Sequence, residues 1–364
     1  ARFAAEAQGD HVSSVAVDIH DVRVEVGDSE CPAFRRCHHL TLRIVRLHAK
    51  QGRPQTSTAL YTLPIGAVLR VRTLPLDTAV DLTPTILLDG LKFPEGPRWH
   101  DGRLWFSDMH AHRVMTVDES GQTSIICQVP NRPSGLGFTP DGRLLVVSMT
   151  DRKLLCLNGN LGLKEVSDIG SMAGGDANDM VVDDQARSYI GNFGFDYSND
   201  EKFKPASLVM VRPDGVAQVV AEELLFPNGS VITADGGRLI VAETYGRRLT
   251  AFDINREDGT LSNRRIWAEV DPATPDGICL DDDGAIWVAS PVTEEFIRVL
   301  EGGVVTDRIK LPPGKGAYAC MLGGADGRTL FLCTSEGSQE DRVAGRSRGW
   351  IETVRVDVPR AGRP

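Results

Sequence analysis

No stretch of this 364-residue sequence approaches the roughly 20 consecutive apolar residues that a membrane-spanning helix needs, so neither such a span nor a membrane partner is expected. The first residues, ARFAAEAQGDHVSS, lack an apolar core followed by a cleavage site, and a cytoplasmic location is the expectation. No CxxC pair occurs among the seven cysteines (Cys31, Cys37, Cys127, Cys156, Cys279, Cys320 and Cys333), several of which sit in apolar strand-like runs. An odd count in such settings reads as reduced, buried thiols. A GxSxG nucleophile elbow is missing, and Ser134 in NRPSGLG reads as a turn residue. Runs such as GLGF have no strand–turn–helix setting, which argues against a dinucleotide site. Clustered positive charge is scarce: residues 1–80 hold ten Lys and Arg against eight Asp and Glu, so the rest carries −12 and the whole −10. An acidic body disfavours nucleic acid as a partner and accommodates a cation.

What the chain has in quantity is glycine, 37 residues, and a recurring turn. An Asp-Gly type turn followed by an apolar strand appears six times: DGRLWFSD from Asp101, DGRLLVVS from Asp141, DDQARSYIGN from Asp183, DGGRLIVAE from Asp235, DDGAIWVAS from Asp282 and DGRTLFLCTS from Asp326. Asp and Gly tolerate left-handed backbone angles and join antiparallel strands. Steps of about 40–50 residues match a four-stranded propeller blade. The expectation is an all-β fold, a six-bladed β-propeller over residues 84–357 with a short N-terminal extension over 1–80. Six regular copies outweigh a β-sandwich. TILLDG, residues 85–90, precedes the first copy and is expected to pair beside WIETVRVD, closing the ring and covering an edge. The extension carries five of the eight histidines. A zinc site from Cys31, Cys37, His38 and His39 matches no standard ligand spacing, and an appendage or leader is the simpler reading.

Counting back six or seven residues from each turn aspartate gives Glu95 (FPEGPRW), Asn178 (DANDMVVD), Asn228 (FPNGSVIT) and Asp276 (TPDGICLD). The second and sixth copies give Ser134–Gly135 and Ala319–Cys320, with no strong ligand. The first strand of each blade lines the central channel, so four oxygen-bearing side chains would converge at one mouth. Two carboxylates and two amides make an oxygen-only site suited to one divalent cation, Ca2+ first, with Mg2+, Mn2+ or Zn2+ as alternatives. Asp-Gly and Asn-Gly are also common turn pairs, and any one of these residues alone would read as a turn. In the Pro-X-Gly frame around Glu95, Asn228 and Asp276, Gly is expected to let the backbone pass close to a bound group. Asp179 is either a residue orienting a ligand or an exposed turn carboxylate. His110 and His112 in SDMHAHRV could relay a proton if His110 reaches the channel, but a surface turn is the favoured reading of the pair. Trp99 and Trp105 are expected between blades.

FPEGPRW, DANDMVVDD, YIGNFGFD, FPNGSVIT with IVAET after it, and TPDGICLDDDGAIWVA together resemble the SMP-30/gluconolactonase/LRE-like (regucalcin-like) family over residues 84–357. The resemblance implies a six-bladed propeller with a single cation on Glu95, Asn178, Asn228 and Asp276. It also implies a metal-dependent hydrolase acting on a small lactone or ester. Asp276 would be general base or nucleophile; the other reading leaves it a ligand only, with water on the ion as base. Sugar-lactone-hydrolysing members carry an Arg two residues before the first Asn, touching substrate with it. Here Asp176 holds that place, which loosens the sugar-lactone expectation. A phosphotriesterase-like hydrolase on the same site and a non-enzymatic calcium-binding or interaction propeller are the rival readings. Oligomeric state is left open.

Overall fold

The computed structural model describes residues 82–199 and 201–364 and, before them, the backbone of five strands. The chain divides into two compact units, Ala1–Ala79 and Val80–Pro364. In the first, Arg2–Ala5 pairs with Val15–Asp18, and Val24–Gly27, His39–Lys50 and Arg53–Pro64 form an antiparallel three-stranded sheet. The side chains of Cys31, Cys37, His38 and His39 lie outside the described residues.

The second unit is a six-bladed β-propeller, built of six four-stranded antiparallel sheets. The innermost strands are Pro94–His100, Pro133–Phe138, Ala177–Val182, Pro227–Ile232, Ile278–Leu280 and Lys315–Gly323, and each touches the next in cyclic order, the last against the first. The turns behave as their residues dictate. Asp101 and Gly102 both take positive φ, 48° and 72°, as a two-residue hairpin of this twist requires. Asp183, Asp235, Asp281 and Asp326 each accept the amide two residues on, which fixes the turn.

Second strands such as Leu144–Ser148 and Ile286–Ser290 are buried on both faces, which is why they read as unbroken apolar runs. Outer strands such as Thr123–Gln128 are largely solvated. The core is therefore a set of apolar layers between neighbouring blades. Trp99 of blade 1 stacks on Phe331 of blade 6 at 5.2 Å, and Trp105 of blade 1 meets Phe138 of blade 2 edge-on. Cys156, Cys279, Cys320 and Cys333 are buried free thiols.

Thr85–Leu91 pairs antiparallel with Arg348–Arg355 and supplies the outer strand of blade 6, so the ring closes with strands from both ends of the unit. At the end of the channel away from Glu95, the tail crosses the inner strands. Ala361 N–H donates to Leu280 O, and Arg363 and Ile232 exchange backbone hydrogen bonds. Among the described residues no helix is long and apolar enough to cross a membrane.

Candidate functional site

Glu95, Asn178 and Asn228 are each the second residue of an inner strand, and Asp276 stands two residues ahead of Ile278–Leu280. The ladder to the second strand is interrupted at this point in five blades: between Glu95 and Arg98, Pro133 and Leu136, Ala177 and Met180, Pro227 and Ser230, and Ala317 and Ala319. Such a bulge turns a side chain out of the sheet's alternation and towards the mouth.

The glycines that follow these residues in the Pro-X-Gly frame lie against the next blade. A Cβ on Gly229 would lie 2.7 Å from Asp276 O, one on Gly135 2.8 Å from Asp179 Cα, and one on Gly277 2.6 Å from Ala319 Cα. These glycines make room for the next blade's backbone. The same packing corrects the register of blade 6. Gly277 meets Ala319 just as Gly135 meets Asp179, so the residue equivalent to Asn178 is Tyr318, not Ala319–Cys320. The longer turn MLGGADGR accounts for the miscount. The mouth is thus ringed by Glu95, Ser134, Asn178, Asn228, Asp276 and Tyr318.

The Asn178 amide turns its NH2 into the protein, and the Asn228 NH2 is shared between the protein and the Asp276 carboxylate. Asn178 Nδ2 donates to Pro227 O at 3.2 Å, and Asn228 Nδ2 to Thr244 Oγ1 at 3.3 Å, while Thr244 Oγ1 holds Pro275 O at 2.7 Å. Their carbonyl oxygens are the atoms left for the mouth. Asn228 also bonds Asp276. Burial, then the charge of Asp179, pushes the Glu95 carboxyl up to about 8, against the Gly96 N–H at 3.1 Å and the charges of Arg342 and Arg98. Burial, then Glu95 itself, drives Asp276 well above the usual carboxylate range. Two neighbouring carboxylates that resist ionising together, with two amide oxygens beside them, fit a hard divalent cation, which removes the repulsion. Among the described residues no group of three or more His, Cys, Asp or Glu side chains is placed to hold an ion. Two of the four donors here are amides. Asp179 is not an exposed turn carboxylate: it is buried and paired with Arg98 at 2.7 Å, below the four residues.

One set of polar residues went unread in the sequence. The end of the second strand pins the loop that delivers each ligand-position residue. Asp108 Oδ1 accepts the amides of Lys92 and Phe93, and Asn192 Oδ1 that of Gly174. Glu243 Oε2 accepts the amide of Leu225, and Ser290 Oγ that of Thr274. The signal was present: each apolar second strand ends on a polar residue, in FSD, IGN, VAE and VAS.

Arg342 was also missed. It stands on the short helix Gln339–Val343, inserted between the second and third strands of blade 6 and begun by a Ser338 capping box. Its guanidinium lies 4.6 Å over the Phe93 ring and 4.7 Å over Tyr318, and it donates to the Tyr318 hydroxyl. Arg342 Nε is buried and finds no hydrogen-bond partner among the described residues. His110 sits edge-on to Phe93 at 5.5 Å, and burial, aided by Arg132 and Arg342, lowers it to about 4, so its ring is neutral at pH 7. His112 instead bonds Pro130 O. Asp176 is raised by burial, with Arg132 and Arg152 opposing and Asp196 adding to the shift. The place of the substrate-touching Arg is therefore acidic, while cations approach the mouth from blades 2 and 6.

Relatives share this architecture. The chain is 26% identical over 303 residues to a pentonolactonase of Haloferax volcanii, covering 78% of this chain and 97% of that one. It is 25% identical over 280 residues to a 6-deoxy-6-sulfogluconolactonase of Pseudomonas putida, covering 74% and 93%. A calcium-binding regucalcin from Agrobacterium tumefaciens superposes with a TM-score of 0.65 at 19% identity, over 78% of this chain and 97% of that one, and shares the fold. Residues 93–336 match the model of the SMP-30/gluconolactonase/LRE-like region, and the chain belongs to that family.

Proposed function

We propose that the protein is a metal-dependent hydrolase that opens a small lactone ring. One observation carries the reading: Glu95, Asn178, Asn228 and Asp276 stand at one register position of four blades, with both carboxyls raised by burial and Asp276 raised further by Glu95. The lactonase names of the relatives support it. These four residues would hold one divalent cation, Ca2+ by donor type, and its charge would polarise the lactone carbonyl.

The chain's own groups do the rest. Asp276 takes the proton of a water that adds to the carbonyl carbon. The acyl–oxygen bond then breaks, and the same proton passes to the departing ring oxygen. Asn178 and Asn228, held by Pro227 O and Thr244, keep the donor geometry without adding charge. Arg342, fixed on Phe93 and Tyr318, faces the negative charge that grows on the substrate.

The test is a lactone panel, with one phosphotriester included, assayed under EDTA and with metal add-back. Chelation should abolish lactone opening and Ca2+ should restore it, with a Ca2+-dependent rise in Tm. Turnover that survives complete chelation, or no cation bound by the purified protein, would sink the reading.

A further inference from the structure

The walls around the mouth are apolar. Phe93, Met109, Met149 and Tyr318, from blades 1, 2 and 6, form a buried cluster, and Phe193 of blade 3 packs against it. From Phe193 the rings continue outward. Phe193 stacks on Phe226 at 4.4 Å, and Phe226 on Tyr245 at 4.9 Å. Phe195 meets Phe203 at 5.7 Å and Tyr197 at 6.1 Å. The outer rings Tyr197, Phe203 and Tyr245 remain 41%, 43% and 47% exposed. This shelf borders the site directly, because Phe226 stands two residues before Asn228 and Tyr245 follows the Thr244 that holds it. Gly174 and Gly175 let it close: a Cβ on Gly175 would lie 2.2 Å from Phe195 O.

Between the shelf and the helix Gln339–Val343 lies a cleft of about 660 Å³, lined by the apolar Phe195, Tyr197, Val343 and Ala344 and by Glu201 and Glu340. The helix ties the cleft to the reactive centre. Arg342 lies over Phe93 and Tyr318, while its neighbour Val343 lines the cleft.

We propose that the preferred substrate is a small lactone bearing an uncharged apolar substituent, an aryl group or a medium alkyl chain. Its ring sits at Glu95 and Asp276 and its substituent lies in the cleft. The proposal rests on the hydrolytic reading above. Sugar hydroxyls would give up water against these rings with few partners in return. Each methylene buried there is worth about a fourfold gain in affinity. Glu340 adds negative charge beside the cleft and repels an anionic substituent, while Glu201 is paired with Lys204. The cleft has the volume of an ordinary small-molecule site.

The experiment compares kcat/KM, with Ca2+ present, for γ-butyrolactone, its γ-alkyl series, γ-phenyl-γ-butyrolactone and glucono-1,5-lactone. A rise of about threefold to fourfold per methylene until the cleft is filled is expected, with the phenyl compound at least tenfold above the sugar lactone. Val343→Asp, at a side chain 61% exposed and so tolerated by the fold, should cut the phenyl-to-unsubstituted ratio at least fivefold. Tyr197→Ser should do so independently. Calorimetry with 5-phenylpyrrolidin-2-one, a lactam that is not opened, reads the cleft without chemistry, and binding should weaken in Val343→Asp. A flat alkyl series, or a ratio unmoved in both variants, overturns the proposal while leaving lactone hydrolysis intact. Lactam binding that weakens in Val343→Asp without turnover of any lactone upholds the cleft and removes the hydrolytic reading.

Discussion

Blades 1, 3, 4 and 5 and blades 2 and 6 are built from the same four strands, yet they meet the mouth differently. The first group presents Glu95, Asn178, Asn228 and Asp276 from one register position; the second presents Ser134 and Tyr318 there. Blade 6 adds an insertion carrying Arg342. In the proposed reading, register would supply the reactive centre and irregular segments its surroundings. Glu95, Asn178 and Asn228 stand on inner strands and Asp276 just ahead of one, whereas the residues proposed to choose among substrates stand on insertions.

The largest effect that would break this comparison is at Asp276. Asp276→Asn should lower lactone kcat by about 10³-fold, about 4 kcal/mol, with weakened Ca2+ binding by calorimetry, whereas Ser134→Ala at the same place in blade 2 should cost about threefold or less. Retained cation and retained turnover in Asp276→Asn would take that residue out of the chemistry.

Next comes the pinning position. Glu243, fully buried, also bonds Arg248 and Thr250, and Glu243→Ala should destabilise the fold by about 3 kcal/mol in a denaturant titration. Burial pushes this carboxyl up, but the hydrogen bonds of Arg248, Thr250 and the Leu225 amide outweigh it and hold it below the ordinary 4.5. Its stabilisation is therefore present above pH 4.5 and is lost as pH falls through the lower folded value. A Glu243→Gln variant should show a shallower acid limb in Tm against pH.

Gly229→Ala should cost about 2 kcal/mol, since its Cβ would lie 2.6 Å from Ile278 N, while Gly237→Ala, with nothing nearer than 3.4 Å, should stay within about 0.5 kcal/mol. The smallest effect belongs to the insertion. Arg342→Ala should lower kcat/KM about tenfold, about 1.4 kcal/mol, with Tm little changed, and Lys should not restore the planar fork.

The blades were legible because the Asp-Gly turns repeat, and the ring closure because TILLDG had no other strand to join. The four mouth residues were legible through the same register. Tyr318 was not, because blade 6 lengthens its turn and the count slipped. Arg342 lies in an insertion between the second and third strands that blade 3 matches in place but not in residues, so alignment of repeats could not reach it. The pinning residues repeat in position but not in type, as Asp, Asn, Glu and Ser all offer an acceptor oxygen there. The blade-to-blade contacts of Gly135, Gly229 and Gly277 were not legible, since a sequence shows which residues are small and not what they must let past.

The tail that pairs with Ile232 and Leu280 gives the channel a floor, with a void of about 370 Å³ behind it lined by Arg98, Arg360 and Arg363. Arg98 reaches from blade 1 to Leu136 O of blade 2 and to Asp179 and Met180 O of blade 3, so side chain as well as tail crosses the way to that end. With that end closed to it, an opened product of the proposed reaction would leave by the door through which the next molecule arrives. Slow clearance would then register as inhibition by product, an effect set by the far end of the barrel and untouched by the residues that do the chemistry.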